Sequence, residues 1–336
     1  VDRRMSYTQV RDVLIGEKEA CEKHKDFISM FKLMKELSDI IRERRAKRGS
    51  IDFDFPETKI ILDEKGRPVE IKPYDRNDAT KIIEDFMLLA NETVAEEFFW
   101  REIPFLYRTH DVPDEEKIRK LGTFINNFGY NLHVRNEVRP KEIQKLLCKV
   151  EGTPEEPLIS RLALRSMKQA KYTTENTGHF GLAAKYYTHF TSPIRRYPDL
   201  MIHRIIKEVL HHGVDGKLTK HFAKAAAEAA DISSAAERKA IEAEREVEKM
   251  KKAEYMSYHI GEVFDGIISG VTGFGLYVQL ENTVEGLVRI DSLYDDYYDY
   301  DAEQYLLKGR RNGKVYKLGD TVRIFVDNVN TDRGEI

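Results

Sequence analysis

Residues 220–258 constrain the fold of this chain most strongly, because the stretch contains neither glycine nor proline and is rich in alanine, glutamate, lysine and arginine. These residue types favour helix, and nothing within the stretch interrupts one. The sequence therefore predicts one or two long helices packed across a domain. Most apolar positions are alanine without a sustained heptad, which argues against a coiled coil.

The residue pattern changes at Gly261, where glycines begin to alternate with β-branched and aromatic residues. Glycine allows the bends that close short strands into a small barrel. We therefore predict two domains, residues 1–259 and residues 260–336, and an α+β fold class. The first domain is predicted to be mostly helical with a small sheet, and the second to be a β-barrel.

Hydrophobic periodicity and end signals predict the elements of the first domain. The predicted helices cover residues 5–16, 27–49, 77–101, 113–129, 140–152, 155–171 and 194–212. Strict alternation in Ile51–Phe55 predicts a strand, and Lys59–Leu62 with Val69–Lys72 predict a hairpin.

The composition, with 41% hydrophobic and 34% charged residues, is typical of a soluble globular protein. No apolar run is long enough to predict a membrane span, so no membrane association is expected. Cys21 and Cys148 are the only cysteines, which favours a reducing, cytoplasmic location without a disulfide framework. The chain begins at Val1 with neither a signal peptide nor an initiator methionine, which suggests a fragment. A net charge of −3 argues against a basic surface over the whole protein, but allows a local positive channel.

The candidate phosphate-binding segment is residues 188–200, Thr-His-Phe-Thr-Ser-Pro-Ile-Arg-Arg-Tyr-Pro-Asp-Leu. Pro193 and Pro198 restrict the backbone on both sides of Arg195 and Arg196. A guanidinium on a rigid backbone can donate two parallel hydrogen bonds to an anion. The alternative interpretation is a helix start with surface arginines.

This segment resembles the signature of the RNB family of exoribonucleases. The resemblance continues over almost the whole chain, in residues 5–10, 77–91, 164–170, 176–182 and 236–247. It implies that the first domain is the C-terminal portion of an RNB catalytic domain, truncated at its N-terminal side. It also implies an enzyme that degrades single-stranded RNA processively from the 3′ end, releases nucleoside 5′-monophosphates and uses Mg²⁺.

The resemblance assigns a catalytic role to Arg195, which would neutralise charge growing on the scissile phosphate. Arg196 is the neighbouring positive charge on the RNA path, with a structural role as the alternative. Tyr7 and Glu84 match positions that contact RNA near the catalytic end. A carboxylate such as Glu84 can accept a hydrogen bond from a 2′-hydroxyl, although a solvent-facing helix carboxylate is the alternative.

The resemblance also matches Glu244 to a glutamate that supports the last base, with Glu242 as the alternative in the local alignment. These residues belong to a charged stretch in which pairs four residues apart also explain the spacing.

Residues 261–336 resemble the S1-type RNA-binding domain, an OB-fold barrel. Such barrels stack bases on exposed aromatic side chains beside a positive groove. By this resemblance Phe264, Phe274 and Tyr277 are candidate base platforms, although strand alternation turns some side chains into the core. Arg289 stands where the family often has a histidine, and arginine can also stack on bases and contact phosphate.

The resemblance implies that no principal metal ligand lies in this chain, because the family's carboxylates come from a strand upstream of Met5. The upstream half of the same RNB domain would then be a partner, and this chain would be inactive alone. Asp52 and Asp54 lie on one face of a predicted strand and are the alternative metal pair. The acidic, tyrosine-rich residues 291–301 are either a further cation site or a solvated loop.

Three rival functions are considered, of which the first uses the same barrel and arginine segment. The first is a stand-alone RNA-binding protein without catalysis. The second is a metal-independent phosphoesterase based on His189 and Thr191. The third is a zinc protein whose candidate ligands are His203, His211, His212 and His221, for which histidines near helix ends are the structural alternative.

Overall fold

The fold is that of a computed structural model, which describes residues 1–52, 57–74, 76–132, 138–153, 155–213, 216–302 and 304–336. The predicted strand Ile51–Phe55 falls mostly outside these residues, and Asp54 lies outside them. Within the described ranges, no helix combines the length and the apolar character that crossing a bilayer requires.

The first part of the chain is mostly helical with the β1–β2 hairpin, as its patterns predict, and has a second small sheet that they do not predict. Its helices are α1 (Tyr7–Leu14), α2 (Lys18–Lys23), α3 (Ile28–Arg48), α4 (Asp78–Trp100), α5 (Glu115–Asn126), α6 (Pro140–Val150), α7 (Glu156–Ser166), α8 (Tyr197–His212) and α9 (Gly216–Ser257). Its strands are β1 (Thr58–Leu62), β2 (Pro68–Pro73), β3 (Tyr107–Thr109) and β4 (Lys171–Thr173). The antiparallel pairs β1–β2 and β3–β4 are separate sheets rather than one.

The second part of the chain is all β and confirms the predicted change of fold class. Its strands are β5 (Val263–Thr272), β6 (Gly275–Leu280), β7 (Glu285–Arg289), β8 (Tyr298–Asp301), β9 (Leu306–Gly309), β10 (Val315–Lys317) and β11 (Thr321–Phe325). The sheets β11-β5-β6-β7 and β10-β9-β8 enclose a shared core that includes Ile268, Val278 and Leu307. Glycine is required at position 266 of β5, next to β6, because a Cβ there would lie 2.6 Å from a Val278 methyl group.

Local chemistry explains where several helices begin and end. The Ser6 side chain accepts from the backbone N–H of Gln9, whose side chain accepts from Ser6 N–H, so α1 begins with a capping box. Asn77 caps α4 through the backbone N–H groups of Ala79 and Thr80. Gly49, with φ of 103°, ends α3 in a left-handed conformation that glycine adopts readily.

Helix α8 begins at Tyr197, three residues later than the periodicity predicts. Pro198 has no N–H to donate, so it is tolerated in the first turn of a helix but not farther inside. Residues 192–196 consequently form a turn outside the helix. Helix α7 similarly ends at Ser166, because Lys171–Thr173 leaves the helical path to pair with β3.

Helix α9 connects the two parts of the structure as a single long helix. Phe222 and Ala226, near its start, pack in a core with Phe105 and Ile202. Near its end, Met256 packs in a cluster formed with the β1–β2 hairpin and the barrel. The helix therefore fixes the barrel against the helical part.

A buried carboxylate joins α3 to α4. Asp85, which is completely buried, accepts hydrogen bonds from Ser38 Oγ at 2.7 Å, Arg42 Nη2 at 3.0 Å and Arg45 Nη1 at 2.7 Å. Such a carboxylate depends on its partners, because an unpaired charge is costly away from water.

Replacing Asp85 tests this junction. Asp85→Ala leaves two guanidinium groups without their carboxylate and should lower the free energy of unfolding by about 3–5 kcal/mol. Asp39→Ala, which removes an exposed i,i+4 pair with Lys35 from α3, the helix that carries Arg42 and Arg45, should change it by less than about 0.5 kcal/mol. Urea denaturation measures both variants, and equal small effects would contradict the account.

Candidate nucleic-acid interface

Asp199 closes the turn that carries the two arginines. Its Oδ2 accepts hydrogen bonds from the backbone N–H of Ser192 at 2.8 Å and from Arg196 Nη2 at 2.9 Å. Asp199 is completely buried, and the backbone N–H of Arg196 also donates to Ser192 O at 3.1 Å. The turn is therefore fixed at both ends by groups within seven residues of each other.

The two arginines have different environments. Arg196 is held by Asp199, and its side chain is only 18% exposed. The Arg195 side chain is exposed, and it makes no hydrogen bond or ion pair with the residues that the structure describes. The structure thus leaves Arg195 available to an external anion, whereas Arg196 stabilises the turn.

Phe190 connects the start of the turn to α4 and α8. Its backbone N–H donates to Asn91 Oδ1 at 3.0 Å, and Asn91 Nδ2 donates to Tyr187 Oη at 3.2 Å. The Phe190 ring stacks on the His203 imidazole with centroids 4.4 Å apart. His203 Nε2 also bonds to Phe190 O at 2.8 Å, so this histidine supports the turn.

Tyr172 connects the same segment to α9. Its hydroxyl group bonds to His189 Nδ1 at 2.8 Å, and its backbone N–H donates to Ser234 Oγ at 3.0 Å. Arg108 lies over the Tyr172 ring at 4.6 Å and forms a 2.6 Å ion pair with Glu237. Helix α9 is therefore fixed to the side of the turn opposite α4.

Two half-buried histidines near the turn are neutral. Burial lowers the pKa of His189 to about 2, with Arg196 and Arg108 adding repulsion. Burial also lowers the pKa of His179 to about 3, with the nearby His110 as the next cause. Such groups are poor acid–base catalysts near neutral pH, which argues against the phosphoesterase based on His189 and Thr191.

Glu84 is paired rather than free. Its carboxylate accepts from Arg76 Nη2 at 3.0 Å, and the same guanidinium lies 3.4 Å from Asp52. Asp52 is therefore engaged in an ion pair. On α4, Glu84 precedes Asn91 by seven residues, which places it about 10 Å along the helix and on the same face.

The other predicted RNA contacts of the helical part are open to solvent. Tyr7, at the first position of α1, is 48% exposed. Glu242 and Glu244 are both exposed on α9, so the structure leaves the choice between them open. Of the expected i,i+4 pairs on this helix, Glu248 and Lys252 form a 2.7 Å ion pair.

The barrel candidates divide by exposure. Phe274 is 56% exposed, and its ring meets the half-buried Tyr277 ring edge to face at 6.2 Å. Phe264 packs in the apolar cluster beside α9 and lies edge to face with His259. The exposed Arg289 pairs with Asp291 at 3.3 Å. Phe274 is therefore the most open of the three predicted platforms.

No group of three or more histidine, cysteine, aspartate or glutamate side chains in the described ranges could hold a metal ion. Neither the zinc hypothesis nor a metal role for Asp52 finds a ligand group among those residues.

Sequence reasoning missed the residues that position the turn. Asp199 and Asn91 lie inside recognised motifs, but their roles depend on burial and on contacts far along the chain. Tyr172 and Arg76 had no local signal. The available sequence clue was Asp199, an acidic residue directly after Tyr-Pro near the start of a predicted helix.

Comparisons with known proteins identify the family and the two domains. A model of the RNB domain matches residues 1–212, and a model of the S1 RNA binding domain matches residues 257–336. The chain belongs to the RNB family, and its fold is an RNB-type helical region followed by an S1-type barrel.

Relatives cover nearly the whole chain. It is 44% identical to Ribonuclease R 1 of Lactococcus lactis and 43% identical to Ribonuclease R of Aquifex aeolicus, in each case over 99% of this chain. These alignments cover 41% and 47% of the relatives, so the chain spans about half their length. The structure of Mycoplasma genitalium RNase R in complex with ribose methylated single-stranded RNA matches with a TM-score of 0.87, 31% identity and 99% coverage of this chain and 52% of that one.

Asp199 can be tested as the anchor of the turn. Asp199→Ala removes the acceptor for Ser192 N–H and for Arg196, and should lower the free energy of unfolding by about 3–5 kcal/mol. Asp199→Asn keeps an oxygen acceptor without the charge and should cost about 1–3 kcal/mol. Denaturation in urea gives both values, and a loss below about 1 kcal/mol for Asp199→Ala would show that the turn holds without it.

The lowered pKa values of His189 and His179 predict a pH dependence of stability. In the unfolded chain a histidine has a pKa near 6.5, so it binds a proton that folded His189 or His179 does not. Stability is complete above about pH 6.5 and falls at lower pH, approaching about 1.4 kcal/mol per pH unit for each histidine. His189→Gln should reduce this slope by one histidine's share, whereas His212→Gln, at an exposed site, should not. An unchanged slope in His189→Gln would contradict the assignment.

Proposed function

We propose that this chain is the RNA-binding and phosphate-binding part of an exoribonuclease. The longer protein would hydrolyse single-stranded RNA processively from its 3′ end to nucleoside 5′-monophosphates. The observation that carries the proposal is the exposed, unpaired Arg195 on a turn fixed by Asp199, in a chain of the RNB family.

The chemistry proposed for Arg195 is electrostatic. Attack on a phosphodiester increases negative charge on the phosphoryl oxygens, and guanidinium N–H groups can donate to two of them. Because Asp199 and the backbone hold the turn before RNA binds, little reorganisation is needed when the charge develops. Arg196 would contribute positive potential from its fixed position beside the phosphate.

The proposed RNA path has contacts on both sides of the turn. Glu84 would accept a hydrogen bond from a ribose 2′-hydroxyl, and its pairing with Arg76 would hold the carboxylate in place. Tyr7 would contact the RNA near the same end. Glu244 would support the last base from α9.

The barrel would bind RNA farther from the reacting end. Phe274 and Tyr277 would provide stacking surfaces, with Phe264 as the least open of the three aromatic candidates. Arg289 would contribute charge or stacking.

Mg²⁺ is the proposed cofactor of the longer protein. The described residues do not fit a complete site, since they contain no group of three metal-binding side chains and Asp52 is paired with Arg76. The upstream half of the RNB domain is therefore the proposed source of the ligands and the proposed partner of this chain.

We propose that the domain boundary lies between residues 259 and 260, just after α9. The proposed location of the protein is the cytoplasm.

A second candidate is an RNA-binding protein without catalysis. The absence of a metal-binding group from the described part of the chain favours it for these 336 residues taken alone. The two functions make the same prediction for binding and differ only in turnover.

Turnover with labelled RNA separates these candidates. With Mg²⁺ and uniformly labelled oligoadenylate, the 336-residue chain should bind RNA and release no mononucleotides. Addition of the upstream half should produce processive release. Mononucleotide release by the chain alone would contradict the proposed division of the site, and no release from the combined halves would favour the binding protein.

Arg195 is tested in the active combination. Arg195→Ala should lower the single-turnover hydrolysis rate by about 10²–10³-fold, with a loss of RNA affinity below about tenfold, because its contact strengthens in the transition state. Arg44→Ala removes the same charge from an exposed position on α3 and should change neither value. Equal losses in rate and affinity for Arg195→Ala would indicate a simple phosphate contact.

A further inference from the structure

The acidic residues of the tyrosine-rich segment 291–301 are used to build a hairpin. Asp296 Oδ2 accepts from the backbone N–H groups of Arg311 at 2.6 Å and Asn312 at 2.7 Å. Asp299 pairs with Arg310 at 2.6 Å. These partners lie on the turn between β9 and β10, so the carboxylates fix that turn to β8.

Asp295 has a similar structural role. It accepts from Tyr298 Oη at 3.0 Å and from Lys314 Nζ at 3.2 Å. Hydrogen bonds to their charged forms hold the pKa values of Asp295, Asp296 and Asp299 below the usual range. Asp295 and Asp299 are therefore paired with cations of the hairpin itself, and Asp296 is bonded to its backbone N–H groups.

Two tyrosines of the segment face solvent, whereas Tyr298 is buried in the barrel core. Tyr294 is 92% exposed and Tyr297 is 68% exposed. The Arg311 guanidinium lies over the Tyr297 ring at 5.7 Å and makes no ion pair with a carboxylate in the described part of the chain. An open ring beside a free guanidinium is the combination that stacks an unpaired base and contacts its phosphate.

The turn that carries Phe274 lies against the tyrosine-rich segment. The backbone N–H of Ile290, just before the segment, donates to Phe274 O at 2.9 Å. On the other side, a Cβ on Gly273 would lie 3.6 Å from the Tyr300 ring. The turn that carries Phe274 is therefore in contact with both ends of the tyrosine-rich segment.

We propose that Tyr297 and Arg311, with Tyr294 beside them, form a base-stacking site for single-stranded RNA that extends the Phe274 surface. The proposal rests on the proposed function, because it assigns additional contacts to the same RNA. Bases of any sequence can occupy such a site, since every base presents a π face.

Charge favours a nucleic acid as the occupant. Residues 304–319 contain five basic residues and no acidic residue. Lys314 and Arg310 are paired with the segment's own carboxylates, which leaves Arg311, Lys308 and Lys317 exposed on the hairpin. A polyanion is the partner that matches open aromatic rings beside exposed cations that form no ion pair among the described residues.

Fluorescence anisotropy of the 336-residue chain with fluorescein-labelled oligoadenylate tests the site. Tyr297→Ser should weaken binding by about 5- to 100-fold, the range expected for loss of one base stack. Tyr297→Phe should retain wild-type affinity, because it keeps the ring. Tyr258→Ser, at a similarly exposed tyrosine at the end of α9, should have no effect.

The salt dependence distinguishes the two members of the pair. Arg311→Ala should reduce the magnitude of the slope of log K against log salt concentration by about 0.7, since it removes one phosphate contact to a single strand. Tyr297→Ser should leave the slope unchanged. Wild-type affinity in both Tyr297→Ser and Arg311→Ala would overturn this proposal, and a loss in Phe274→Ser alone would then leave the proposed function standing. A wild-type chain that bound no RNA would overturn both.

Discussion

The buried carboxylate of Asp199 is the interaction on which the candidate site depends. It receives the backbone N–H of Ser192 and the guanidinium of Arg196, and so joins the two ends of a turn that no helix or sheet contains. Arg196 pairs with Asp199 and so stabilises the turn that carries Arg195. Without that division of roles, Arg195 would lie on an unsupported loop, and its orientation toward a phosphate would have to be established during binding.

The surroundings of the turn explain how an acidic chain can offer a basic site. Asn91 on α4 and Tyr172 beside α9 fix the preceding residues, while the histidines near the turn are kept neutral by burial. Positive charge is therefore concentrated in a few guanidinium groups rather than spread over the surface. The net charge of −3 reflects the whole chain and does not oppose a local anion site.

Much of the fold follows from local signals. The Asn77 cap and the left-handed Gly49 act within a few residues, and the uninterrupted helical stretch ends shortly before Gly261. The structure has the helix ends and the change to β structure that these signals indicate. Strand β4 was missed because it is three residues long and its partner, β3, lies more than sixty residues earlier. The start of α8 was misplaced because periodicity carries no information on the missing N–H of Pro198.

The candidate site was less accessible to sequence reasoning. Arg195 could be selected from its motif, but the difference between Arg195 and Arg196 depends on Asp199 being buried beside only one of them. The links through Tyr172 join residues 17 and 62 positions apart, which no local pattern reveals. Residues 291–301 contain acids that fix the hairpin and tyrosines that are exposed. Composition alone does not distinguish these two roles, because they depend on how the hairpin strands pair.

Photo-cross-linking tests most directly whether the anchored turn receives the reacting end of RNA. Single-stranded RNA with 4-thiouridine at its 3′-terminal nucleotide would be bound to the 336-residue chain, irradiated and mapped by mass spectrometry. The account predicts adducts within residues 188–199. Adducts confined to the barrel, residues 260–336, while the same RNA remains bound would contradict it.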